Sequence, residues 1–163
     1  KMIANHGQKV KYHHDSIGVN SRLDTLQAAI LSVKLKYLDD YELRRNQVAL
    51  FYDRELSPLS FVEVPHRTAN STHVFHQYTL KTKGIDRDHF KTYLETKGIP
   101  TMIYYPVPLH LQKAYEQPEY PKGSFKITEE LSCTVISLPI HTEMNVEQMN
   151  YICNTLKEYP HHG

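Results

Sequence analysis

The sequence predicts an α/β (α+β) chain in which a long linking helix is followed by a small β-α-β-α-β-α sheet domain. Three observations carry this reading. Apolar residues recur at helical spacing across positions 23–56, with no Pro or Gly before Pro58. Beyond it, three short runs rich in β-branched and aromatic residues, at 74–80, 100–105 and 135–138, read as strands. Amphipathic stretches separate and follow those runs, and strands alternating with helices argue for a sheet with helices packed on one face.

The order along the chain follows from local signals. Residues 1–20 show little periodicity and read as a looped lead-in. Leu23, Leu26, Ile30, Val33 and Tyr37 fall at spacings of three and four and should share one helical face, and a helix this long is expected to bridge in part to another domain or subunit; Ser21 is the expected N-cap, with Asp24 as its acidic capping-box partner. Positions 21–57 then form one long helix, or two with a bend near Asp39-Asp40. Asp86 caps a helix that Gly98 stops, Asn145 with Gln148 caps another, and Ile127 opens a third. Residues 58–163 are thus read as the compact domain, with the helix as its link to a preceding one. Because Met2 is not first and the lead-in is long, the sequence reads as a piece whose upstream part is absent.

Composition narrows the function classes. A chain of 163 residues can bury roughly two-thirds of its unfolded surface. With 40% hydrophobic and 23% charged residues it is neither a disordered nor a membrane protein. A net charge of +1 gives no electrostatic reason for a nucleic-acid partner. No apolar run approaches the roughly 20 residues needed to span a bilayer, and the start is no signal peptide, so the expected location is cytoplasmic. Cys133 and Cys153 lie in apolar helical patterns and read as buried thiols in a reducing compartment. Among the 11 His, the close pairs His13-His14 and His73 with His76 do not share a face, so no metal site is expected.

Two stretches carry candidate chemistry. Asn20 and Arg22 stand at the mouth of the first helix, where an amide and a guanidinium suit a phosphate or carboxylate. They also fit a turn residue and a solvated first-turn cation. Tyr104 and Tyr105 with His110 surround the rigid turn Pro106-Val107-Pro108, suited to a hydroxylated ligand, or simply to aromatics packing on proline. No Gly-x-Ser-x-Gly, GxGxxG or P-loop is present, so no autonomous catalytic centre is visible.

In sequence order, His6-Gly7-Gln8, Tyr12-His13, Ile17-Gly18-Val19-Asn20-Ser21-Arg22-Leu23-Asp24, Gln27-Ala28-Ala29, the helix with Arg45 and Ala49, Gly98-Ile99-Pro100-Thr101, positions 104–110 and Ser137-Leu138-Pro139 resemble one family over almost the whole chain. It is similar to the C-terminal part of the DegT/DnrJ/EryC1/StrS aminotransferases, pyridoxal-phosphate enzymes that aminate keto sugars on nucleotide carriers. The resemblance implies the small domain of fold type I transferases, a homodimer, pyridoxal 5'-phosphate as cofactor, and a nucleotide-linked keto sugar and an amino-donor amino acid, glutamate, as partners. It places Asn20 and Arg22 at the cofactor phosphate, with Arg22 also on the substrate, and Tyr104, Tyr105 and His110 on the substrate side. The family's Schiff-base lysine has a Ser-Phe-x-x-x-Lys context that nothing here matches, so the chain alone is expected to be inactive. Two alternatives stay open: a non-catalytic dimerisation module built on the long helix, and a family dehydratase in which His replaces the lysine.

Overall fold

The computed structural model describes residues 2–10, 12–21 and 23–161. Contacts divide the chain into two compact units, Lys1–Asp39 and Asp40–Gly163. The first holds a short antiparallel hairpin, β1 (Gln8–Val10) with β2 (His13–His14), and the helix α1 (Thr25–Lys34) followed by a 3-10 turn, Leu35–Tyr37. Next come α2 (Leu38–Leu56), β3 (Val62–Glu63), β4 (Tyr78–Thr82), α3 (Arg87–Thr96), α4 (Lys126–Thr134), β5 (Val135–Leu138) and α5 (Val146–Lys157).

The helix α1 starts three residues later than expected. Its N-cap is Asp24, whose carboxylate accepts from Leu26 N at 2.9 Å while Gln27 Oε1 accepts from Asp24 N. Ser21 is not the cap: its backbone donates to the carbonyl of Ala4 in the lead-in, and the helix begins only at Thr25. A 3-10 turn, rather than a bend at Asp39-Asp40, separates α1 from α2. The apolar face expected from the spacing is open: α1 buries none of its residues, and Leu26 is 70% exposed.

In the second unit β3, β4 and β5 form an antiparallel sheet in that order, with Val62 opposite Thr82 and Thr79 opposite Ser137. Met102 adds a single bridge to Ser137. The run at 100–105 therefore contributes one residue instead of a strand, since Pro100 has no N–H and Pro106 restricts its neighbour. The run at 74–80 becomes regular only at Tyr78. Phe75 is left-handed at φ 46°, and Arg45 Nη1 takes the carbonyls of Phe75, His76 and Ile140 at 3.2 Å each, removing acceptors that a longer strand would need. Strand β3 was hidden in the sequence by its length and by the nearby Pro65.

The core is one cluster drawn from α2, β3, β4, α3, β5 and α5. Tyr52 and Leu56 of α2, Tyr78 and Leu80 of β4, Phe90 and Leu94 of α3, Ile136 of β5 and Leu156 of α5 are all fully buried. Truncating one of these leucines to alanine costs about 2–5 kcal/mol, because the cavity adds to the lost transfer energy. Local signals support each helix. Asp86 accepts from the amides of Asp88 and His89 at the start of α3, Gly98 follows its end at φ 71°, and Asn145 with Gln148 forms a complete capping box on α5.

One burial expectation is overturned. Cys153 is buried, but Cys133 is exposed. Its neighbour Ser132 faces inward, donating to Glu129 O and offering its own carbonyl to Arg87, so Cys133, a helical step further round, turns outward.

Candidate functional site

The lead-in of the first unit fixes Asn20 through the backbone. Asn20 bridges to Asn5, Val19 N donates to Ile3 O at 2.8 Å, and His6 N donates to Val19 O at 3.0 Å. The chain can fold back this closely only because two glycines meet. A Cβ on Gly7 would lie 1.7 Å from Ser16 O, and one on Gly18 would lie 2.1 Å from Gly7 N. Gly7 also needs its left-handed φ of 73°. Asn20 is exposed at the end of this braced loop, beside a hollow lined in part by Asn5, Gln8, Lys9 and Ser21. Amide, ammonium and hydroxyl donors of this kind suit a phosphate. Arg22, the other expected phosphate ligand, lies outside the described residues.

The second unit carries a cleft of about 520 Å³. One wall is the turn beginning at Tyr104 and Tyr105, joined by a cis peptide and stiffened by Pro106 and Pro108. The other wall is α4, which presents Thr128, Leu131 and Ser132, with Val135 just beyond its end. Those positions fall at i, i+3, i+4 and i+7, one stripe of a helix. The tyrosines are 38% and 73% exposed, and their rings meet edge to face at 5.9 Å. Phenol, hydroxyl and amide groups spread over apolar walls suit a sugar ring, with polar groups for its hydroxyls and flat surfaces for its C–H faces.

His110 is placed differently. Its side chain is only 9% exposed and does not line the cleft with the two tyrosines. Its ring packs against Phe125 at 4.8 Å, and Nε2 lies 3.0 Å from Glu129 Oε1. Glu129 also accepts from Gly123 N and Phe125 N. Burial by itself raises the Glu129 pKa, but the donations from Gly123, Phe125 and His110 outweigh it and hold the carboxyl below the ordinary carboxylate range. An ionised carboxylate has no proton to give, so Nε2 is the donor and the ring carries its hydrogen there.

Glu129, Thr128, Ser132 and Gln112 are contributors to this region that the motifs did not flag. Glu129 had a readable signal. It stands four residues after Phe125 at the start of a helix that has no Ser, Thr or Asp cap, a setting in which an acid can reach back to the helix entrance.

Comparison with known proteins gives this architecture a lineage. A family model described as the DegT/DnrJ/EryC1/StrS aminotransferase family matches residues 1–157. The chain is 40% identical over 158 residues to a dTDP-3-amino-3,6-dideoxy-alpha-D-galactopyranose transaminase of Aneurinibacillus thermoaerophilus, covering 97% of this chain and 42% of that protein. It is similar to the crystal structure of S. venezuelae DesV, with a TM-score of 0.86 and 36% identity over 96% of this chain and 42% of the other. It is also similar to NtdA of Bacillus subtilis, solved with bound cofactor PMP, with a TM-score of 0.81 and 29% identity over 96% of this chain and 37% of the other. The chain thus spans about two-fifths of the length of these relatives. Family match, sequence identity and fold agree over nearly all of its own length, and the chain belongs to the DegT/DnrJ/EryC1/StrS aminotransferases.

Proposed function

We propose that this chain is the C-terminal portion of a pyridoxal-phosphate-dependent aminotransferase that moves an amino group from glutamate to a nucleotide-linked keto sugar. The observation that carries the reading is the likeness, over 96% of the chain, to DesV and to the PMP-bound NtdA. The cofactor, when bound, supplies the electron sink and the amino carrier. Residues 1–20 lead in from a larger domain that contributes the cofactor-linking lysine, 21–57 link the two, and 58–163 form the small domain. The chain without that lysine is inactive.

Within this reading the residues bind and orient. Asn20, braced by the Asn5 bridge, donates its side-chain amide to the cofactor phosphate, and Arg22 adds a guanidinium to the phosphate or to the sugar nucleotide. Tyr104 and Tyr105 hold the sugar against α4 and exclude water from its reacting face, while His110 stands at the end of the same turn. The enzyme acts in the cytoplasm as a homodimer, and the exposed apolar stripe of α1 supports burial of that face in the assembled protein.

The test uses the intact protein. Its cofactor absorbance should vanish when the upstream lysine is replaced. Asn20→Ala should weaken cofactor binding by about tenfold, the scale of one charge-assisted hydrogen bond. Tyr105→Phe should raise KM for the sugar nucleotide more than it lowers kcat. Unaltered cofactor affinity and unaltered KM together sink the assignment. The alternative, a non-catalytic interaction module, is favoured if the gene encodes no lysine-bearing domain yet Leu26→Asp with Ile30→Asp lowers the mass seen in sedimentation.

A further inference from the structure

Helix α4 presents the stripe Thr128, Leu131 and Ser132 to the cleft, and the residue one step round, Glu129, faces away from it. Glu129 is 16% exposed and touches two separate segments. Oε1 accepts from Gly123 N at 2.8 Å, from Phe125 N at 3.2 Å and from His110 Nε2 at 3.0 Å, and Oε2 lies 2.9 Å from Gly123 N. From these contacts we infer that Glu129 is a positioning residue for the cleft: through His110 it sets how far the Tyr104-Tyr105 turn stands from α4. The inference rests on the reading of that cleft as the sugar site.

Three observations make one carboxylate responsible for this spacing. The N-cap of α4 is Phe125, which gives no side-chain cap, so the helix entrance depends on Glu129 reaching back to the Phe125 amide. A carboxylate near a helix N-terminus is also favoured by the helix dipole. Next, the turn is stiff by its own sequence, because Pro106 and Pro108 fix their φ angles, so its orientation is set by contacts outside it. Finally, His110 lies at one end of that stretch and the tyrosines at the other, with Leu109–Leu111 wound as a 3-10 turn. A Ser or Asp cap would have satisfied the helix alone. Glu129 uses the same oxygens to hold the helix, the Gly123 loop and the opposite wall.

Nuclear magnetic resonance on the 163-residue chain and on the intact enzyme tests this with Glu129→Ala, Glu129→Gln and His110→Ala. In Glu129→Ala the amides of Gly123 and Phe125 should exchange about tenfold faster or more, while those of Leu80 and Ile136 hold. Glu129→Gln keeps one acceptor oxygen and should be intermediate. His110→Ala cuts the strut and the ring contact with Phe125 but leaves the Gly123 and Phe125 amides on Glu129, so the ring signals of Tyr104 and Tyr105 should shift while those two amides stay protected. In the intact enzyme, Glu129→Ala should raise KM for the sugar nucleotide with a smaller change in kcat, and Glu129→Gln should recover part of it. Unmoved Tyr104 and Tyr105 signals in both alanine variants, or a uniform rise in exchange across the whole chain, overturns the inference. If the signals move as expected but Tyr105→Phe leaves KM unchanged, the sugar reading of the cleft falls and the positioning of the turn stands.

Discussion

The phenol of Tyr78 donates to Asp53 Oδ1 at 2.7 Å, while Arg67 Nε holds the other carboxylate oxygen at 2.6 Å. Burial first, and then the Asp53 carboxylate, push the Tyr78 phenol far above its ordinary pKa, so it stays a donor at every physiological pH. The pair ties β4 to α2 across the fully buried Tyr52 and Tyr78 rings, which lie 5.0 Å apart. Tyr78→Phe keeps the ring and loses the donor. Since Asp53 retains Arg67 and partial solvent access, the expected loss is about 1–2 kcal/mol in denaturant unfolding, with an unchanged m-value.

Arg45 offers a second mutational test. A single guanidinium nitrogen serves three carbonyls from two loops, and Ala in its place leaves those acceptors to compete for water in a half-buried site. Arg45→Ala should cost about 2–3 kcal/mol, and Arg45→Lys should recover only part, because the shorter lysine stem brings its ammonium less close to the three carbonyls. Equilibrium unfolding of the two variants side by side decides the point.

The two thiols should separate in reactivity. Burial pushes the Cys153 thiol up to about 12, whereas Cys133 is exposed. A native-state thiol titration near neutral pH should therefore count one thiol per chain, rising to two in denaturant, and Cys133→Ser should abolish the native signal.

Acid stability should carry the mark of Asp86. Backbone donations from His89 and then Asp88 hold its carboxyl below the ordinary carboxylate range. A depressed folded pKa means that its contribution is present above the unfolded value and fades as the pH falls through the folded one. Asp86→Asn keeps an acceptor at the cap and removes the titration. Thermal midpoints of the two proteins should therefore differ near neutrality and converge as the solution is acidified below the carboxylate range. A constant difference at all pH values would count against the assignment.

Legibility in the sequence tracks how local the cause is. Asp86 and Gly98 frame α3, and Asn145 with Gln148 opens α5, because each signal and its effect lie within one turn of chain. The start of β4 was not legible, since the group that removes its first acceptors is Arg45, some thirty residues upstream. The Ser21 cap was misplaced for a related reason: the chain at Ser21 is tied to Ala4 across a loop, and the helix starts only after Asp24. In the candidate site, Tyr104 and Tyr105 were readable from the proline-stiffened turn that displays them. The anchoring of His110 by Glu129 was not, because nineteen positions separate them and only folding makes them neighbours.

The crossing of Gly7 and Gly18 has an implication for how this loop tolerates change. What brings Asn20 to its place is chiefly a pair of missing side chains and a set of peptide contacts. Positions such as Lys9 and Ile17, whose side chains are exposed, can drift without displacing the amide. A single methyl group on either glycine, by contrast, would have to push one strand of the loop off the other. Sequence variation here is therefore expected to be broad at most sites and nearly forbidden at two, a pattern set by volume and not by chemistry.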